Sequence, residues 1–209
     1  MKPTRLATAV AALLLVGCAP SQPSVPQVTV GGEPDSQRSL APDQVLEARK
    51  AAGIDACPTS NLAAKQRDGG LPALTLDCLG GDSKVNLAGL PTGRPYVINL
   101  WAQWCQPCAD EAPYLADVAR QTGGKVTFLG IDYGDPFPGK AIDFAIKHQT
   151  LYPQLVDPKQ RSRIPLKVPG PPQTYFVDAS GKLVHHETKV YMSAEELRAA
   201  IKEHLGVQA

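Results

Sequence analysis

The sequence predicts an α/β fold: a central mixed sheet flanked by helices, with an antiparallel edge. Three observations carry this reading. Two continuous apolar runs of strand length, YVINLW at Tyr96–Trp101 and VTFLGID at residues 126–132, suit buried central strands. Each is followed by a segment with helical spacing of its apolar residues. The chain then closes with a hairpin pattern and a capped helix.

The elements follow in order. Residues 43–52 (DQVLEARKAA) read as a short helix, with Asp43 as its cap and Gly53 as its stop. Residues 54–70 contain Cys57 and read as irregular. Leu74, Thr75 and Leu76, then Val85, Asn86 and Leu87, alternate as two short strands around a Gly80-Gly81 turn. After Tyr96–Trp101 comes a helix over Gln106–Gln121, with Pro107 in its first turn and Leu115, Val118 and Ala119 at helical spacing. Pro113 inside it predicts a kink. After the strand at 126–132, residues 140–148 (KAIDFAIKH) predict an amphipathic helix with Ile142, Ala145 and Ile146 on one side. Residues 174–177 and 183–186 flank an Asp178-Ala179-Ser180-Gly181 turn and read as a hairpin. Ser193 and Glu196 form a capping box that opens a last helix, running to about His204.

Composition limits the function classes. The 209 residues carry 21 Lys+Arg against 20 Asp+Glu, which gives no electrostatic case for nucleic acid. A hydrophobic fraction of 43% excludes a wholly disordered chain. The five cysteines are an odd number, which in an exported protein asks for an explanation.

The N-terminus supplies the export signal. Lys2 and Arg5 precede an uncharged run from Leu6 to Gly17. A membrane-spanning helix needs about 20 apolar residues, so residues 1–17 read as a secretory signal. The run ends in Leu15-Val16-Gly17-Cys18, which resembles the lipobox of bacterial lipoproteins. That resemblance makes Cys18 the lipidated first residue of the mature chain, held in the bilayer by its acyl chains. Cleavage removes Lys2 and Arg5 and no acid, leaving 19 basic side chains against 20 acidic, so anchoring rests on lipid and not on a basic patch. Residues 18–42, rich in Pro, Ser, Gln and Gly, read as a disordered tether, and residues 43–70 as a short helical extension.

The chemistry is concentrated in Trp101-Ala102-Gln103-Trp104-Cys105-Gln106-Pro107-Cys108. A C-x-x-C where a buried strand turns into a helix is a redox motif of thioredoxin type. Cys105 at the helix N-terminus is placed where free backbone N–H groups favour a thiolate, the form that attacks a disulfide. Cys108, one turn further in, is placed to resolve the mixed disulfide. Trp104 covers one side of the pair and Pro107 stiffens the loop.

This motif, followed by Glu111 and Pro113, resembles the TlpA/ResA/CcmG group of membrane-tethered thioredoxin-like proteins. The resemblance runs from about Leu71 to His204 and includes Gly170-Pro171-Pro172-Gln173-Thr174-Tyr175-Phe176-Val177-Asp178. It implies a thioredoxin-like fold over residues 71–209. It also implies a cis-proline at Pro172 facing the cysteines, and substrate docking at Gly170 and Pro171. Pro171 has no N–H, so one backbone bond to a substrate peptide is lost there. Asn99 stands where cytosolic thioredoxins carry an aspartate, which leaves Glu111 as the proton manager for Cys108.

The resemblance implies an extracytoplasmic thiol–disulfide oxidoreductase without a bound cofactor, working through the Cys105–Cys108 couple. It favours reduction of exported proteins, as in the group that serves apocytochrome c, with electrons from a thiol-reducing membrane donor. A disulfide-donating oxidase and a non-catalytic binding lipoprotein stand as alternatives. In an oxidising compartment Cys57 and Cys78 are left to pair as a structural disulfide; a second redox pair relaying electrons is the alternative. No metal site is expected. The separation of Cys57 from Cys78 does not suit zinc, and adjacent residues of His185-His186-Glu187 point to opposite faces of a strand. Arg161, Arg163 and Lys167 precede Pro172 and would attract acidic substrates if their loop borders the site.

Overall fold

The computed structural model describes residues 40–208. The signal segment, Cys18 and all but the end of the tether lie outside the described residues. Among the described residues no helix is long and apolar enough to cross a membrane.

Seven strands form one mixed sheet: β1 (Thr75–Cys78), β2 (Lys84–Asn86), β3 (Tyr96–Trp101), β4 (Thr127–Tyr133), β5 (Gln154–Asp157), β6 (Gln173–Val177) and β7 (Leu183–Glu187), in the order β2-β1-β5-β4-β3-β6-β7. The β3–β4 and β4–β5 pairs are parallel, and the β1–β2, β1–β5, β3–β6 and β6–β7 pairs are antiparallel. Four helices flank the sheet: α1 (Pro42–Ala51), α2 (Gln106–Gln121), α3 (Pro138–His148) and α4 (Ala194–Leu205).

All six residues of β3 are buried, as a continuous apolar run requires of a strand covered on both faces. Its alternation sorts the core. Val97 packs with Leu115 and Val118 of α2, Phe128, Phe176, and Leu197 and Ile201 of α4. Trp101 joins Cys105, Cys108 and the α3 residues Ala141, Ile142, Phe144 and Ala145. Ile98 and Leu100 point the other way, into a cluster with Leu76, Leu129, Ile131, Leu155 and Tyr175.

Several details depart from the sequence reading. The segment 154–157, to which the sequence reading assigns no element, is β5, and it joins the parallel core to the β1–β2 hairpin. Its four residues are too few to show a period, so pairing on both sides makes it a strand. The cap of α1 is Ala41, not Asp43; Pro42 takes the first helical position and Asp43 lies in the first turn. Ile146 is 44% exposed, and the buried stripe of α3 is Ala141, Ile142, Phe144 and Ala145. Helix α2 continues through Pro113, which lies on the exposed face. In the α4 cap the Ser193 Oγ accepts from the Glu196 N–H at 3.2 Å, while the Glu196 carboxylate reaches back to the Met192 N–H at 2.9 Å, one residue beyond the N-cap N–H of the reciprocal box.

Two buried polar groups fix the frame. Gly130 on β4 lies between Asn99 of β3 and Gln154 of β5. A Cβ at residue 130 would stand 1.7 Å from Gln154 Oε1. The glycine therefore lets the Gln154 side chain cross β4 and accept from Trp101 Nε1 at 2.9 Å, while its amide donates to the Thr150 carbonyl at 3.0 Å. Arg49 of α1 is 4% exposed. It makes a two-pronged pair with Asp82 at 3.0 Å and donates to the Leu79 carbonyl and the Cys78 sulfur at 3.2 Å.

Cys57 and Cys78 are joined, with Cα atoms 6.0 Å apart, so the irregular segment after α1 is stapled to β1. Replacing both by serine is expected to lower the unfolding free energy by about 3 kcal/mol, the chain-entropy value for a loop of this length. Urea denaturation of the two oxidised proteins checks it; an unchanged midpoint would show that the bridge does not brace the fold.

Candidate active site

The turn from β3 into α2 builds the site. Cys105 is the N-cap of α2, with extended backbone, and its sulfur accepts from the Cys108 N–H at 3.2 Å. Gln106 and Pro107 occupy the first two helical positions, so the missing proline N–H costs no helical bond. Cys105 and Cys108 are joined, with Cα atoms 5.3 Å apart. They are 5% and 1% exposed, while Trp104 is 55% exposed, so one edge of the pair opens to solvent beside an indole. When the bond is open, the unpaired N–H groups of the first turn lie where a Cys105 thiolate forms.

Glu111 follows Cys108 by three residues and so shares its inward face of α2. It is completely buried. One oxygen accepts from Asn99 Nδ2 at 2.8 Å and the other from the Tyr191 N–H at 3.2 Å. Burial outweighs these two bonds and lifts the carboxyl to about 7. At neutral pH it is therefore poised between holding and accepting a proton, which a surface carboxylate is not. Cys108, Asn99, Trp101, Ala112, Phe144 and Tyr152 surround a tight internal gap beside it.

The peptide bond between Pro171 and Pro172 is cis. Strand β6 begins at the next residue, and Gln173 pairs with Leu100 at the end of β3 from which the motif springs. Register thus puts the proline pair and the cysteine pair at the same end of two adjacent strands. Pro172 is buried and Pro171 half-buried. The Gly170 carbonyl already accepts one hydrogen bond, from Gln173 Nε2 at 2.5 Å, which also donates to the Pro172 carbonyl at 2.8 Å. The Gln173 Oε1 in turn meets His186 Nε2 at 2.7 Å and Thr188 Oγ1 at 2.9 Å. Gln173 is thus the residue that ties the proline turn to β7. It lies in the quoted stretch, but nothing in its spacing marks it.

The cleft on which Cys105 opens is lined by Gln103, Trp104 and Gln106 on one side and by Lys140, Lys147 and His148 of α3 on the other. Arg161, Arg163 and Lys167 are not among the residues lining this cleft, whose cationic wall comes from α3. Trp101 stacks on Phe144 with centroids 4.4 Å apart, and Phe144 lies 4.4 Å from the His148 ring, which carries the core packing out to the cleft wall. Burial, then Lys147, holds His148 below its usual range, with Asp110 opposing.

Comparisons with known proteins agree on one lineage. The model of the AhpC/TSA family matches residues 70–186. The chain is similar to the thiol:disulfide interchange protein HelX of Rhodobacter capsulatus, 32% identical over 131 residues that cover 62% of this chain and 69% of the relative. It is similar to a DsbE homologue, also a thiol:disulfide interchange protein, of Paracoccus denitrificans, 34% identical over 105 residues that cover 49% of this chain and 56% of that one. In structure it is similar to a secreted disulfide oxidoreductase of Mycobacterium tuberculosis, with a TM-score of 0.55, 28% identity, and coverage of 63% of this chain and 96% of the other.

Proposed function

This chain belongs to the AhpC/TSA family, and from that premise we propose that it is a membrane-anchored, extracytoplasmic thiol–disulfide oxidoreductase that reduces disulfides of exported proteins, apocytochrome c among them. The observation that carries this reading is the Cys105–Cys108 disulfide at the N-terminus of α2, with the completely buried Glu111 one turn below it.

In the reduced protein the Cys105 thiolate attacks one sulfur of a substrate disulfide. The substrate S–S bond breaks, one substrate thiolate leaves, and a mixed disulfide forms on Cys105. Glu111 takes the proton from the Cys108 thiol. Cys108 then attacks the Cys105 sulfur, the second substrate thiolate leaves, and the Cys105–Cys108 bond closes. Two electrons have passed to the substrate. A thiol-reducing donor at the membrane returns them, and no bound cofactor is needed. The turn at Gly170, Pro171 and Pro172 presents the substrate segment, with the Pro171 carbonyl as its remaining backbone acceptor. Trp104 forms one wall and the α3 cations the other. Lipidation of Cys18 holds the domain at the bilayer.

Direction is tested by equilibrating the full chain in defined thiol–disulfide mixtures and reading the alkylated Cys105–Cys108 peptide by mass. A midpoint close to the roughly −270 mV of thioredoxin is expected; one near the roughly −120 mV of DsbA would instead make the protein a disulfide donor.

A further inference from the structure

The edge formed by β7 and α4 carries a group of side chains that the redox cycle does not use. His185 and Glu187 alternate onto one face of β7, and His204 reaches them from the last turn of α4. His186, between them, turns to the opposite face and stacks on Tyr175 with centroids 4.6 Å apart. Adjacent histidines do diverge, but the residues two apart converge, and the third comes from a helix that local spacing cannot reveal.

We propose that His185, Glu187 and His204 form a binding site for one divalent transition-metal ion of borderline softness, zinc(II) being its representative. The imidazole Nε2 atoms of His185 and His204 lie 3.3 Å and 3.5 Å from the same carboxylate oxygen, Glu187 Oε1. One ligand atom from each of the three residues falls within 4.8 Å of the others. A tetrahedral zinc with bonds of about 2.0–2.2 Å holds neighbouring ligand atoms about 3.3–3.5 Å apart, so both measured edges match. The two rings lie nearly parallel, with centroids 3.8 Å apart, so holding one ion requires the more exposed His185 ring to turn until its lone pair converges with that of His204.

The donor set selects the ion. Two imidazoles and one carboxylate suit zinc or copper(II), whereas calcium and magnesium take oxygen ligands throughout. The carboxylate is already oriented as such a ligand would be: its second oxygen accepts from the Tyr191 hydroxyl at 2.8 Å, the kind of outer partner that fixes a metal-binding group. Lys189 approaches that same far oxygen at 3.8 Å but is half-exposed and free to swing away. Glu187 and His204 are 17% and 16% exposed and His185 39%, so an ion can enter past His185 and keep a water in its fourth position. Tyr191 also gives the site a route to the redox centre, because its backbone N–H is one of the two donors to Glu111.

The test is titration of the oxidised full-length chain with zinc chloride, followed by calorimetry. Both cysteine pairs are closed and Cys18 is blocked by alkylation, so no thiolate competes. One ion per chain is expected. Binding should be lost in His204→Ala and in Glu187→Gln, weakened about tenfold or more in Tyr191→Phe, and unchanged in His148→Ala. If His204→Ala does not fold, His185→Ala carries the same decision, since that side chain is more than a third exposed. Absence of saturable binding in the native chain, or binding that survives both His185→Ala and Glu187→Gln, overturns the proposal.

Discussion

Replacing Cys108 by serine is expected to convert turnover into capture: the protein attacks a substrate disulfide once and stays joined to it through Cys105. The asymmetry of the pair is the reason. Cys105 caps α2 at the solvent edge beside the exposed Trp104, where the first-turn N–H groups support a thiolate. Cys108 is 1% exposed and sealed by Trp101, Phe144 and Tyr152, so it meets no substrate directly. Without its sulfur, the mixed disulfide has no internal nucleophile to release it. Cys105→Ser should instead give no adduct and no turnover, because a shielded Cys108 cannot start the reaction. Non-reducing gels of the two variants, incubated with a disulfide-bonded protein, separate these outcomes. Adducts on Cys105→Ser and none on Cys108→Ser would reverse the assigned roles.

Changing Glu111 to Gln is expected to slow resolution of the mixed disulfide by about a hundredfold at pH 7, the lower end of what general-base catalysis contributes. Initial attack by Cys105 should be nearly unaffected, since that thiolate depends on the helix terminus. A second readout distinguishes a proton manager from a packing residue. Burial lifts the folded-state carboxyl to about 7, against an ordinary glutamate value of 4.5. The folded state thus holds the proton more tightly than the unfolded chain does. Its stabilising contribution is complete below pH 4.5 and is lost as pH rises through about 7, a difference of about 3 kcal/mol. Denaturation of oxidised native protein across this window should show that decline, and Glu111→Gln should be flatter by that amount. The amide can accept at only one atom, so it leaves either Asn99 or Tyr191 poorly partnered and carries a pH-independent cost. The slope is therefore the quantity to compare, not the absolute stability. Parallel curves for the two proteins would remove Glu111 from proton management.

What the sequence made legible was whatever it encodes locally. The continuous apolar run of β3, the proline and cysteine spacing at the start of α2, and the turn at Asp178 each announce themselves within a few residues. Helix α2 accordingly has the bounds that its spacing predicts. Illegible were features whose cause lies far along the chain. Strand β5 is four residues defined by two neighbours. Ile146 fits the apolar stripe of α3 by type, yet it is exposed and Phe144 takes the buried position instead. Arg49 reads as a surface residue of an amphipathic helix until Asp82 and Leu79 are folded against it. The site divides in the same way. The two cysteines and the proline turn follow from motif, whereas the partners that tune them do not: Asn99 and Tyr191 on Glu111, Gln173 on the turn, and the α3 cations on the cleft. Tyr191 contributes a backbone N–H, and a backbone group leaves no mark in residue type.

The connectivity of the two bridges has a consequence for maturation. With Cys18 set aside for lipid, as proposed, each joins cysteines that are consecutive among the remaining four, 57 with 78 and 105 with 108, so the loops are nested neither within nor across one another. A chain that emerges N-terminus first presents Cys57 and Cys78 before Cys105. Oxidation in the order of appearance closes the brace first and then leaves the last two sulfurs only each other. Correct pairing therefore needs no reshuffling, only an oxidant that takes up the two electrons each bridge releases.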